Sequence, residues 1–267
     1  MEHIKTNRAN FHILFLLSVF VLFSLFSCNQ KNPTKEFQND KGQLIIQEWY
    51  SLDKLKSETT YLKSDKSDFV YVAYNKDGRM IDSGRYVNDT ITGFHKFYED
   101  KTKLTHFENY KNGLLNGPHK AVYTGGVTSF EGYHKDGLSV GEWKFHYPDG
   151  RMITYEYYDS TGRVKYFRKY DDESNTVKIT GNGIIGVFIS KSLADTLLGV
   201  AEVAVPDNCT THLKITGNGK VVFENNVSQP RVPFSIVNAN TNLNFQLIIT
   251  ENKTGKEEKY SFEKTIK

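Results

Sequence analysis

The chain has 267 residues, with 34 Lys+Arg against 31 Asp+Glu and a formal net charge of +3. So small a basic excess excludes a strong phosphate-binding surface, and no nucleic-acid partner is expected. Two cysteines exclude a disulfide-rich scaffold and a four-thiolate zinc site, and 38% hydrophobic residues exclude wholesale disorder.

The N-terminus reads as an address. Lys5 and Arg8 precede an apolar run from Ile13 to Phe26, broken only by Ser18 and Ser24. A basic start and an apolar region of roughly 7–15 residues mark a secretory signal, whereas a spanning helix needs roughly 20. The run closes on Leu25-Phe26-Ser27-Cys28, which resembles a bacterial lipoprotein lipobox: an aliphatic, a small residue, then cysteine. The resemblance implies cleavage before Cys28, diacylation of its thiol and acylation of the new amine. Two or more chains give stable anchoring. The alternatives are an uncleaved anchor and a soluble secreted product. Asn29, not Asp, follows Cys28, and Asn29-Gln30-Lys31-Asn32 lacks an acidic cluster. By resemblance to Gram-negative sorting rules, this implies the outer membrane, facing the periplasm. Residues 1–27 are expected to be a signal peptide and 28–43, polar and holding Pro33, a flexible tether.

The next stretch repeats itself. Asp77-Gly78-Arg79-Met80-Ile81 recurs as Asp149-Gly150-Arg151-Met152-Ile153, at three periods of 24 residues. Gly93, Gly117 and Gly141 are 24 apart, and Lys96, Lys120 and Lys144 follow each by three. Gly113 and Gly137 keep the same period, and Tyr86, Tyr110 and Tyr133 follow it with one slip. Trp143-Lys144-Phe145-His146-Tyr147 alternates large aromatic with polar, the mark of a half-buried strand. Pro148-Asp149-Gly150 then reads as a tight turn, and Arg151 to Tyr157 as the returning strand. Each repeat is expected to be one β-hairpin. A lone hairpin is marginal in water, so the units must stack.

Tyr133, Gly137, Gly141, Trp143, Tyr147 and Gly150 together resemble the unit of the bacterial MORN repeat variant family. The preceding copies carry Tyr110, Gly113, Gly117, Tyr123 and Gly126, then Tyr86, Gly93 and Tyr98. The resemblance covers residues 44–171 and implies a scaffold of β-hairpins; bacterial members are commonly labelled antitoxin components. Trp143, Tyr147 and the glycines are read as scaffold. The lysine column Lys96, Lys120 and Lys144 is the candidate interaction face. His95 and His119 share one column beside His106, His134 and His146. No carboxylate or cysteine is read at ligand spacing beside them, so no metal site and no cofactor are expected.

Asp171-Asp172-Glu173-Ser174-Asn175 reads as a boundary, after which the period is gone. Eight short strands are predicted: 176–180, 184–190, 199–205, 211–216, 220–224, 231–237, 242–250 and 259–266. Asn182-Gly183 and Asn218-Gly219 both carry the type I′ hairpin signal. Residues 176–267 are therefore expected to form an antiparallel, immunoglobulin-like β-sandwich. The fold class as a whole is all-β, a repeat array followed by a sandwich.

Gly-x-x-x-x-Gly-Lys-Ser/Thr loops and His-Glu-x-x-His motifs are missing from the sequence. Cys209 has no neighbouring base before His212, so no enzyme is expected. The expected function is that of a membrane-anchored, non-catalytic module binding an envelope protein or glycan. The alternatives are an immunity-type protein against an envelope-acting toxin and an envelope carbohydrate hydrolase.

Overall fold

Hairpins closed by short turns make up most of the chain. The computed structural model describes residues 33–191, 196–237 and 241–266. The expected signal peptide and Cys28 lie outside the described residues. In chain order come β1 (Thr34–Gln38), β2 (Leu44–Ser51), β3 (Lys54–Tyr61), β4 (Asp68–Tyr74) and β5 (Met80–Val87). Then follow β6 (Thr90–Glu99), β7 (Leu104–Lys111), β8 (Leu114–Leu115), β9 (Gly117–Tyr123) and β10 (Thr128–Lys135). Next are β11 (Leu138–His146), β12 (Met152–Tyr158), β13 (Val164–Tyr170) and β14 (Thr176–Gly181). All of them form one 14-stranded antiparallel sheet that meanders in chain order, with β8 a side branch on β7.

The sheet extends beyond the expected repeats at both ends. β1 lies inside the expected tether, where Thr34 to Gln38 pair with Glu48 to Leu44. The Asn39 side chain makes that turn by accepting from the Lys41 and Gln43 amides. β14 lies inside the expected second unit, yet it pairs with β13. The polar run 171–175 is a hairpin turn, not a boundary: Asp171 Oδ1 accepts from the Glu173 and Asn175 amides, and Ser174 takes a left-handed φ of 64°. The true break follows Gly181. Its φ is +96°, and a Cβ there would stand 1.9 Å from the Lys165 carbonyl oxygen, so only glycine fits. Asn182-Gly183 is consequently a crossing between sheets, not the expected hairpin. The Asn182 amide donates to Lys165 O at 2.9 Å and its side chain accepts from the Ile184 amide. Asn218-Gly219, with φ of 49° and 78°, makes the turn its sequence predicts.

The remaining strands are β15 (Ile184–Lys191), β16 (Thr196–Val203), β17 (Cys209–Gly217) and β18 (Lys220–Val227), then β19 (Arg231–Val237), β20 (Thr241–Glu251) and β21 (Glu257–Ile266). Each overlaps a strand predicted from sequence. They form a three-stranded sheet, β15-β16-β19, and a four-stranded sheet, β18-β17-β20-β21. Alternation along β17, β19 and β20 turns Leu213, Ile215, Val232, Phe234, Ile236, Leu243, Phe245, Leu247 and Ile249 into one core. Each such side chain contributes roughly 1.5–3 kcal/mol on burial.

That core also takes in the end of the array through Tyr155, Tyr157, Tyr166 and Tyr170. Arg168 of β13, only 1% exposed, crosses the junction. Its guanidinium donates to Glu258 at 2.5 Å, to Thr176 at 2.9 Å and to Glu251 at 3.2 Å. A charge this deeply buried is tolerated only when paired and hydrogen-bonded. Tyr166 adds a bond to Glu258, and the Val205 amide donates to the Tyr155 hydroxyl. The array's last strands and the two smaller sheets are therefore joined through a common interior.

Candidate functional site

Each period of 24 residues spans two main strands, so positions 24 apart fall on the same face of the sheet, two strands along. The glycine column serves this geometry: Gly93, Gly117 and Gly141 all have positive φ, at 71°, 127° and 68°. Gly150, also at positive φ, closes the Tyr147–Arg151 turn, where the Arg151 guanidinium stands 5.3 Å above the Tyr147 ring. Trp143 is buried with its ring over Gly132, where a Cβ would meet it at 2.2 Å. The column containing Tyr86 and Tyr110 continues to His134, not to Tyr133. A bulge between Glu131 and Tyr133 leaves Tyr133 exposed and His134 buried.

The lysines share one face, in a row that crosses the sheet. Lys96 pairs with Phe107, Phe107 with Lys120, Lys120 with Glu131, and Glu131 with Lys144. They are not a uniform cationic patch. Lys96 lies 5.5 Å over the Phe107 ring, Lys120 is 3.9 Å from Glu131, and Lys144 binds Asp207 of the second unit at 2.7 Å. The row thus runs up to the junction. There Glu142, Lys144, Asp207, Cys209 and Asn226 help line an open cleft of about 360 Å³. Burial raises the Glu142 carboxyl, which accepts from the Tyr155 hydroxyl at 2.5 Å. Burial also pushes the Cys209 thiol up to about 11, so it stays protonated at neutral pH and is a poor nucleophile.

The opposite face carries the histidines. The row Phe97–His106–Ala121–Phe130–Phe145 follows the strand register. Beside it, His95 pairs with Glu108, and the Glu108 Oε1 lies 3.4 Å from His119 Nε2. His95 is held at both ends, by Asp82 Oδ1 at 3.0 Å and Glu108 Oε2 at 3.4 Å. These two carboxylates, Asp82 first, raise its pKa to about 9, so it is an imidazolium at neutral pH. Burial pushes the Glu108 carboxyl up, but bonds from His95 and Tyr110 outweigh this and keep it below its ordinary value. Burial lowers His119, His134 and His146, favouring neutral rings.

Donor atoms of His106, Glu108 and His119 all lie within 4.8 Å of one another. None of the four buried ring nitrogens of His106 and His119 makes a hydrogen bond; the carboxylate oxygens facing them are Glu99 Oε2, 3.6 Å from His106 Nε2, and Glu108 Oε1, 3.4 Å from His119 Nε2. His106 is stacked on Phe97, with centroids 4.5 Å apart, and His119 meets Phe130 edge-on at 4.9 Å. The expectation that no carboxylate accompanies the histidines is thereby corrected. Glu108 is two residues after His106 on one strand, and alternation places both on one face.

The chain matches no protein-family model and no curated protein. Its chemistry is therefore read from the geometry of these two faces. One is a row of partly paired lysines leading to the junction; the other is a buried imidazole–carboxylate cluster among aromatic rings.

Proposed function

We propose that the protein is an envelope lipoprotein, anchored through lipid on Cys28 to the outer membrane and facing the periplasm. Its MORN-type array and terminal β-sandwich form a non-catalytic module that binds another envelope protein or a glycan. The observation that carries this reading is the common interior joining array and sandwich, with Arg168 locked between Glu251 and Glu258. A joined body presents a preorganised surface, and preorganisation reduces the entropic cost of binding. At strand spacings near 4.8 Å, the thirteen strands in line extend about 60 Å. The lysine row, mixed in charge and flanked by Phe107 and Glu131, offers the alternating polar and apolar contacts of a protein or sugar interface.

Cross-linking on intact membranes tests this reading. The wild type is expected to yield one dominant cross-linked species, which the double variant Lys96→Glu, Lys120→Glu loses while its melting curve stays unchanged. Retention of that species by the double variant overturns the lysine row as the binding face. Cys28→Ala is expected to move the chain into the soluble fraction; a variant that still sediments with membranes overturns the lipid anchor.

A further inference from the structure

The array contradicts its own repeat at one place. At positions 84, 108 and 132 the residues are Gly84, Glu108 and Gly132. Both glycines are bare because a ring of the next strand lies over them. A Cβ at Gly84 would meet His95 at 3.0 Å, and one at Gly132 would meet Trp143 at 2.2 Å. At the middle position the strand carries a carboxylate, and the neighbouring ring, His119, turns a nitrogen toward it. Two further columns depart in the same repeat. His106 stands between Asp82 and Phe130, and Ala121 between Phe97 and Phe145. Ala121 lies opposite His106, so a methyl group replaces a phenyl ring beside that imidazole.

These departures cost stability if nothing uses them. The following repeat holds Phe130 and Phe145 where this one holds His106 and Ala121, and here four imidazole nitrogens are buried without a hydrogen bond. Buried polar groups left without a hydrogen bond destabilise a fold. Glu108 is also supported as ligating carboxylates are. Its Oε2 accepts from Tyr110 at 2.7 Å and faces His95 Nδ1 at 3.4 Å, leaving Oε1 on the side of His119. Asp82, on the other nitrogen of His95, balances the charge of that outer layer.

We propose that His106, Glu108 and His119 form a binding site for a divalent transition metal of the Zn²⁺ class. Two imidazoles and one carboxylate suit a borderline cation; Ca²⁺ and Mg²⁺ call for oxygen ligands throughout. Bonds near 2.0–2.1 Å require the donors to close from their present spacing. Rotation of the two imidazoles about their side-chain torsions supplies that movement. Three protein ligands leave a fourth tetrahedral position for water or for a group from outside the chain. The site is independent of the lysine row, which lies on the other face.

The test uses the full chain in detergent, stripped with chelator and titrated with Zn²⁺ alone against a chromophoric competitor. Co²⁺ alone is then read by visible absorption. The wild type is expected to take up one Zn²⁺ at micromolar or tighter affinity, and Co²⁺ to give tetrahedral bands without thiolate charge transfer. Glu108→Gln and His119→Gln should each weaken uptake at least about tenfold. His106→Phe introduces the residue that the following repeat carries at Phe130, so it suits the fold and should abolish the site. His212→Gln, on the exposed side of β17, should bind as the wild type does. A wild type that takes up no Zn²⁺ at tens of micromolar, or a folded His106→Phe variant that binds undiminished, overturns the site.

Discussion

The array and the two-sheet unit are both antiparallel β structure, yet different forces hold them. In the two-sheet unit, alternation is strict: β19 turns Val232, Phe234 and Ile236 inward and every residue between them outward. Both smaller sheets contribute side chains to one common core. In the array, β6 has one buried residue, His95, and six half-buried ones. Among the described residues no strand pairs with β6 beyond its neighbours β5 and β7, so side chains there shield one another in rows. Stability there sums over neighbouring strands, as in other repeat structures. The comparison explains where polar residues are tolerated. A dry core punishes an unpaired imidazole, while a half-wet row of rings accommodates His95, His106, His119 and His134.

Three measurements test this contrast. Phe245, fully buried between Phe234 and Phe262, should show the largest effect: Phe245→Ala is expected to cost about 5 kcal/mol in denaturant unfolding. Trp143→Ala should cost less, about 3 kcal/mol, because Trp143 packs within one layer beside Phe130, His134 and Phe145. Equal costs would mean that the array has a core of its own. The smallest effect concerns the junction in acid. Burial alone would raise Glu251, but bonds from Thr176, Thr254 and Arg168 outweigh it and bring the carboxyl down to about 2 from 4.5. A depressed carboxyl stabilises the fold above its unfolded pKa, and that stability disappears as pH falls through the folded one. Unfolding free energy should therefore drop by about 2 kcal/mol between pH 5 and pH 2 through this group. Glu251→Gln should flatten that part of the profile; an unchanged slope would place the acid sensitivity elsewhere.

Much of the fold was legible because two local signals repeat. Period-2 alternation marks the strands, and Gly or Asn-Gly marks the turns, so all seven strands of the two-sheet unit overlap their predictions. The array's limits were less legible. Thr34–Gln38 is wholly exposed and carries no apolar pattern, and Thr176–Gly181 is separated from its partner by a turn that reads as a linker. Asn182-Gly183 has hairpin chemistry but serves a crossing, since the next strand belongs to another sheet. The cluster around Glu108 was hidden for a different reason. A repeat is recognised by positions that match, and Glu108, His106 and Ala121 are positions that do not. The available signal was the His106-x-Glu108 spacing on one strand, with His119 one period after His95. Tyr133 misled in the opposite way, matching the tyrosine column in type while its neighbour His134 holds the place.

The meander's strict chain order has a consequence for length. Every repeat adds two strands, and so about 10 Å, between Thr34 at one edge and the junction at the other. Because two strands restore the same face, inserting or deleting a whole repeat would change that distance without turning either surface over. The array is in this sense a ruler: its repeat number sets how far the two-sheet unit stands from the edge strand β1, in steps that leave the chemistry of both faces intact.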